Sequence, residues 1–150
     1  MAKKRTAYKT TTVPVSRSQE AIRQLLMKYG VIGCQFTDNF ETGEIILRFV
    51  KKVEGVPRTV RIALAAEGNE KQAYRMIYHW LKSELEAVDF GLFRFEHMFL
   101  AHFEWMLPDG QATTVGEIVL PELSGQEPSR LLGPGQPPSP DSVEGEFREV

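Results

Sequence analysis

Three kinds of side chain in this sequence have the means for chemistry: the carboxylates Asp38, Glu41 and Glu44, the imidazoles of His79, His97 and His102, and the lone thiol of Cys34. Carboxylates gathered on one loop hold a divalent ion for phosphodiester cleavage. A nuclease of the restriction type runs from such an acid through a spacer to a lysine on the next strand, and Glu44-Ile45-Ile46 lacks that lysine. His97 and His102 stand about 140° apart on a helix of 3.6 residues per turn, so they make no zinc pair. Cys34 alternates with Ile32 and Phe36, which predicts an inward-facing thiol that acts as a small hydrophobe. Gly133-Pro134-Gly135 follows no strand and is surrounded by proline, so it reads as linker and not as a phosphate loop. No nucleophile elbow and no C-x-x-C pair occurs. These absences lead to an expectation of no catalytic site, no metal and no cofactor.

Cations are more plentiful. Lys3, Lys4, Arg5 and Lys9 open the chain, and Arg48, Lys51, Lys52, Arg58 and Arg61 crowd a later segment. Together they are the candidate nucleic-acid contacts, because each phosphate neutralised by Lys or Arg releases a counterion. Residues 1–65 hold 12 Lys/Arg against 5 Asp/Glu, and residues 66–150 hold 6 against 15, giving +7 and -9. Mutual neutralisation within the fold is the competing explanation of that asymmetry.

The elements that must position these groups follow from periodicity. Ile22, Leu25, Leu26 and Tyr29 repeat at helical spacing after a Ser16/Gln19 capping box, predicting a helix over 17–29 that ends at Gly30. Alternation then predicts strands at about 31–36, 44–53 and 58–64, with Glu54-Gly55 as a hairpin tip. In that register Arg48, Lys52 and Arg61 share the sheet face away from the helices. Asn69 offers a cap to a helix over 70–89 that Gly91 interrupts. Leu92 to Leu107 is predicted as a third helix, aromatic nearly all round, with Phe93, Phe95, Phe99, Phe103 and Trp105 as a candidate partner interface. The segment Thr113 to Leu120 fits either a short strand or a helix.

The expected organisation is a flexible basic arm over 1–12, a single α+β domain over 13–120, and a disordered Pro/Gly-rich acidic tail over 121–150. The fold class is α+β, with an N-terminal helix, a three-stranded antiparallel sheet, two C-terminal helices packed on one face and disordered termini. One cysteine and no apolar run long enough to span a bilayer point to a cytoplasmic protein with no membrane partner.

Five stretches, in order, resemble a family of small uncharacterised proteins encoded by bacteriophages, prophages and related bacterial mobile elements. They are Val13-Pro14-Val15-Ser16-Arg17-Ser18, Leu26-Met27-Lys28-Tyr29-Gly30, Lys82-Ser83-Glu84-Leu85-Glu86-Ala87-Val88, Leu107-Pro108-Asp109-Gly110 and Thr114-Val115-Gly116-Glu117. The resemblance implies an origin on a mobile element and a bacterial host cell, and it brings no catalytic residue with it. The ending Glu144-Gly145-Glu146-Phe147-Arg148-Glu149 looks like the acidic ends of phage recombination proteins. The order helix, three strands, helix is similar to that of double-stranded-RNA-binding domains, although the place of their lysine-rich helix start is held here by Asn69-Glu70-Lys71-Gln72-Ala73.

These readings lead to an expected non-catalytic accessory protein. It would bind nucleic acid, or a host protein that handles nucleic acid, in recombination or anti-defence. The alternatives are a homo-oligomeric assembly protein using the aromatic third helix, or a double-stranded-RNA-binding-like module.

Overall fold

The computed structural model describes residues 4–125. The chain divides into two compact units, residues 1–115 and 116–150, and the candidate residues placed in the structure all belong to the first. Its order is α1 (Val15–Lys28), β1 (Gly33–Asn39), β2 (Glu44–Val53), β3 (Val56–Ala65), α2 (Glu70–Phe90), α3 (Phe95–Phe99), a 3-10 turn (Leu100–His102), β4 (Glu104–Met106) and β5 (Ala112–Thr114). α4 (Val115–Ser124) begins at the unit boundary, contains Pro121, and supplies most of what is described of the second unit. The fold is mixed α+β.

β1, β2 and β3 form one antiparallel sheet in that order. Glu54 at φ +52° and Gly55 at φ +80° make the tight β2–β3 turn, where two consecutive left-handed residues match the twist of the strands they join. Ile45, Leu47 and Phe49 of β2 alternate into the core, meeting Ile22, Leu25 and Leu26 of α1 and Ala73, Tyr74, Ile77, Leu81 and Leu85 of α2. α2 starts where the Asn69 side chain accepts from the Gln72 amide at 3.0 Å, and it stops at Gly91 with φ +89°.

Three expectations are corrected. α1 starts at Val15 after Pro14, with no side-chain cap, so the Ser16/Gln19 box is not formed. Proline supplies the entry because its φ of -59° is already that of a helix and the missing N–H would be an orphan there. The third helix is only Phe95–Phe99, and the chain then turns and extends into β4. Phe103, which a continuous helix would have placed one turn after Phe99, instead bridges Val60 on β3. Covering the bare edge of β3 outweighs helix propagation in a segment rich in aromatics, which pack well on a pleated surface. Finally, Cys34 is exposed. It opposes Phe49 and so shares the helix-facing side of the sheet, but it lies on the edge strand β1, which the helices meet only further along, at Phe36 and Asp38. The ambiguous segment after Gly110 is both of its options, β5 followed by α4.

Candidate nucleic-acid interface

Pairing decides which cations meet. Arg48 lies directly opposite Arg61, and Lys52 lies opposite Pro57 four residues along the same strand, so the three side chains leave the outer face of the sheet together. The expected register is the observed one. Lys51 and Arg58 oppose each other one position away and therefore leave from the other face.

Each of these groups has a distinct situation. The Arg48 guanidinium is forked onto Glu104, with Nε to Oε1 at 2.5 Å and Nη2 to Oε2 at 2.7 Å, and its Nη1 reaches Gln35 Oε1 at 3.4 Å. The Glu104 hydrogen bond holds the Arg48 pKa above its ordinary value, partly opposed by burial. Lys52 and Arg61 have no ion pair among the described residues. Lys51 is directed inward: its Nζ donates to the Tyr29 carbonyl at 2.6 Å, at the C-terminal end of α1, and lies 5.5 Å from the centre of the Phe95 ring. Arg58 lines a cavity of about 500 Å3 with Arg94, His97, Leu100, Phe103 and Trp105.

The basic segment at the start of the chain lies against α2 and the end of β3. Arg5 pairs with Glu67 at 3.2 Å and donates to the Ala65 carbonyl. Gln72 donates to the carbonyls of Arg5 and Ala7 at 3.2 and 2.9 Å, and Asn69 to that of Lys9 at 3.4 Å. Tyr8, in a left-handed conformation at φ +59°, stacks on His79 with ring centres 4.6 Å apart. Burial, then Arg75 and Lys82, hold His79 below its ordinary pKa. Lys4 and Lys9 are exposed, and Lys3 falls outside the described residues, as does the tail beyond residue 125.

The expected aromatic interface is corrected. Phe95, Phe99 and Phe103 are buried in the core, Phe99 meeting Phe49 and Trp80 edge-to-face with centres 5.9 Å apart. Only Phe93 and Trp105 of the five are exposed. Sequence reasoning missed Phe90, 90 % exposed, because the helix was expected to end one residue before it.

Asp38, Glu41 and Glu44 do not form a metal centre: among the described residues no group of three or more His, Cys, Asp or Glu could hold an ion. Asp38 instead accepts from the Tyr74 hydroxyl at 3.1 Å, and the Glu41 amide donates to Asn39 Oδ1 in the β1–β2 turn. Burial pushes the Tyr74 hydroxyl up to about 12, with Gln19 pulling the other way and Asp38 adding to the rise. His97 and His102 are also apart: His97 is exposed, while His102 is edge-on to Trp80 at 5.7 Å, and burial lowers its pKa against the opposing charge of Glu84.

No helix among the described residues is long and apolar enough to cross a membrane. No protein-family model, no curated protein and no solved structure matches the chain.

Proposed function

We propose that this chain is a non-catalytic accessory protein of a phage or related mobile element, acting in the cytoplasm of a bacterial host, that holds the phosphate backbone of a nucleic acid against the outer face of its sheet. The observation that carries this reading is the direct opposition of Arg48 and Arg61, with Lys52 on the same face. Like charges across a strand pair repel. Glu104 offsets one of them and leaves Lys52 and Arg61 for an anion, and the planar guanidinium of Arg61 suits two phosphate oxygens at once. Phosphates need no exact base register, which fits a face that has cations and no base-reading ribbon or helix. Recombination and anti-defence are settings in which such sequence-independent binding serves.

A double-stranded-RNA-binding mode is disfavoured by charge. The start of α2, where that family grips phosphates, borders a cavity of about 560 Å3 lined by Asp38, Glu44 and Glu70 against a single Lys71.

Fluorescence anisotropy against single- and double-stranded DNA and RNA tests the proposal. The two free cations of this face give a slope of log K on log salt of about -2 for duplex DNA, at about -0.9 per phosphate neutralised. Changing Lys52 and Arg61 together to Ala should bring the slope close to zero while the melting temperature stays put. No binding at low salt by any of the four, or an unchanged slope in the folded double variant, refutes this reading.

A further inference from the structure

The sheet has two edges, and they are treated differently. β3 is met by Phe103, whereas β1 pairs only with β2 and no other described strand lies against it. Six of its seven residues are exposed, and only Phe36 is partly covered. Proteins guard such edges with lysine, proline, short length or a covering segment. β1 has no Lys, Arg or Pro and extends about 23 Å at roughly 3.3 Å per residue. The helices reach it only at its C-terminal half, where Phe36 meets the Tyr74 ring and the Arg23 guanidinium and Asp38 accepts from Tyr74, while Ile32 is 61 % exposed and Cys34 is exposed, although Cys34 shares the core face with Phe49.

We propose that β1 pairs antiparallel with β1 of a second copy of this chain about a two-fold axis, joining the two sheets into one of six strands. The proposal rests on the edge alone and makes no use of the basic face. An antiparallel edge is complementary to itself, since each copy offers alternate N–H and C=O groups to the other. Charge selects the same arrangement. Asp38 sits near the C-terminal end of β1, while the approach to its N-terminal end is flanked by Lys28 and by Lys51, whose Nζ is 3.3 Å from where a Cβ on Gly30 would stand. Antiparallel pairing lays the acidic end of each strand against the basic end of the other. Parallel pairing sets like on like, and a peptide of one charge satisfies only one end.

The side chains choose the register. Centred on Cys34, the pairing puts Ile32 of each copy opposite Phe36 of the second copy and withdraws both from water, and it places the two Cys34 side chains face to face. Directly opposed Cα atoms in such a pair lie about 4.5–5.5 Å apart, so a short bifunctional thiol reagent spans the two sulfurs.

Sedimentation equilibrium of the full chain from micromolar to millimolar concentration tests this. A reversible dimer is expected, linked through Cys34 by the reagent in a yield that falls on dilution. Cys34→Ser should leave the dimer intact. Cys34→Lys, which opposes two ammonium groups at an exposed position, should weaken it by roughly tenfold or more with the melting temperature unchanged. Ile32→Lys, also exposed, should do the same and stands in should Cys34→Lys fail to fold. A monomer throughout the range, a dimer indifferent to both lysines, or a dimer whose cysteines do not cross-link overturns the proposal.

Discussion

Tyr74 is buried along its whole length, and its hydroxyl stays protonated until far above the ordinary phenol range, at about 12. In the unfolded chain it ionises near 10. Between those two values the unfolded state gives up a proton that the folded state keeps, so this contribution is fully present below about pH 10 and is lost as pH climbs toward 12. The loss is roughly 2–3 kcal/mol at about 1.4 kcal/mol per pKa unit. Urea unfolding at pH 9 and near pH 11.5 should show this drop, and Tyr74→Phe should flatten it; an equal drop in the variant would assign it to other groups. The bond of Tyr74 to Asp38 was not legible in the sequence, because nothing local links residues 36 positions apart. Glu104 was hidden for a related reason. A segment read as helical gives its side chains the wrong directions, and only the extended β4 brings this carboxylate to Arg48. Glu104→Gln should free Arg48 for phosphate, so nucleic-acid binding should tighten and its salt slope steepen by about 0.9. A shallower slope in the folded variant would mean that Arg48 never reaches the ligand.

Elements with strong local signals were read closely. α2 was expected over 70–89 and spans Glu70–Phe90, because an asparagine cap and a glycine at positive φ mark both ends. β2 matches its expected 44–53, since alternation is unambiguous in a strand buried on one side. The segment after Gly91 was misread because Phe95, Phe99 and Phe103 keep an i, i+4 spacing that serves a helix equally well, while the bare edge of β3 is invisible locally. Its burial makes a strong claim: Phe99→Ala should cost about 3–5 kcal/mol in chemical denaturation. A near-neutral result would take Phe99 out of the core. The basic segment also gains a role that composition did not suggest. Gln72, 8 % exposed, spends its side-chain amide on two carbonyls of that segment, and Tyr8 holds a left-handed backbone while stacked on His79. Removing residues 1–12 should therefore lower stability by about 1–2 kcal/mol, since Gln72 exchanges two hydrogen bonds for water and the Arg5–Glu67 pair is lost. An unchanged unfolding midpoint would show that the segment contributes nothing to the fold.

Across the whole chain, the excess of cations before residue 65 and of anions after it is partly consumed inside the fold, because Arg5 pairs with Glu67 and Arg48 with Glu104. Arg23 with Glu20, Lys82 with Glu86 and Arg94 with Glu96 join neighbours in sequence. On the outer face of the sheet, neutralisation leaves over the pair Lys52 and Arg61, few cations for one polyanion. A two-fold pairing through β1 would double them. Cross-strand partners share a face, so the outer faces of both copies would lie on the same side of the joined sheet, and their β2 strands would be separated by three strand spacings, about 14 Å. One nucleic acid crossing both faces then meets four free cations in place of two. The slope of log K on log salt should approach -4 per dimer, against about -2 for a copy held monomeric by Ile32→Lys, at about -0.9 per contact. The comparison is made at protein concentrations where sedimentation shows the wild-type chain paired and the variant single. Equal slopes in the two would mean that the faces bind separately even when the sheets are joined. A doubled slope that reverts when Lys52 and Arg61 are changed would tie the charge, the edge and the ligand to a single surface.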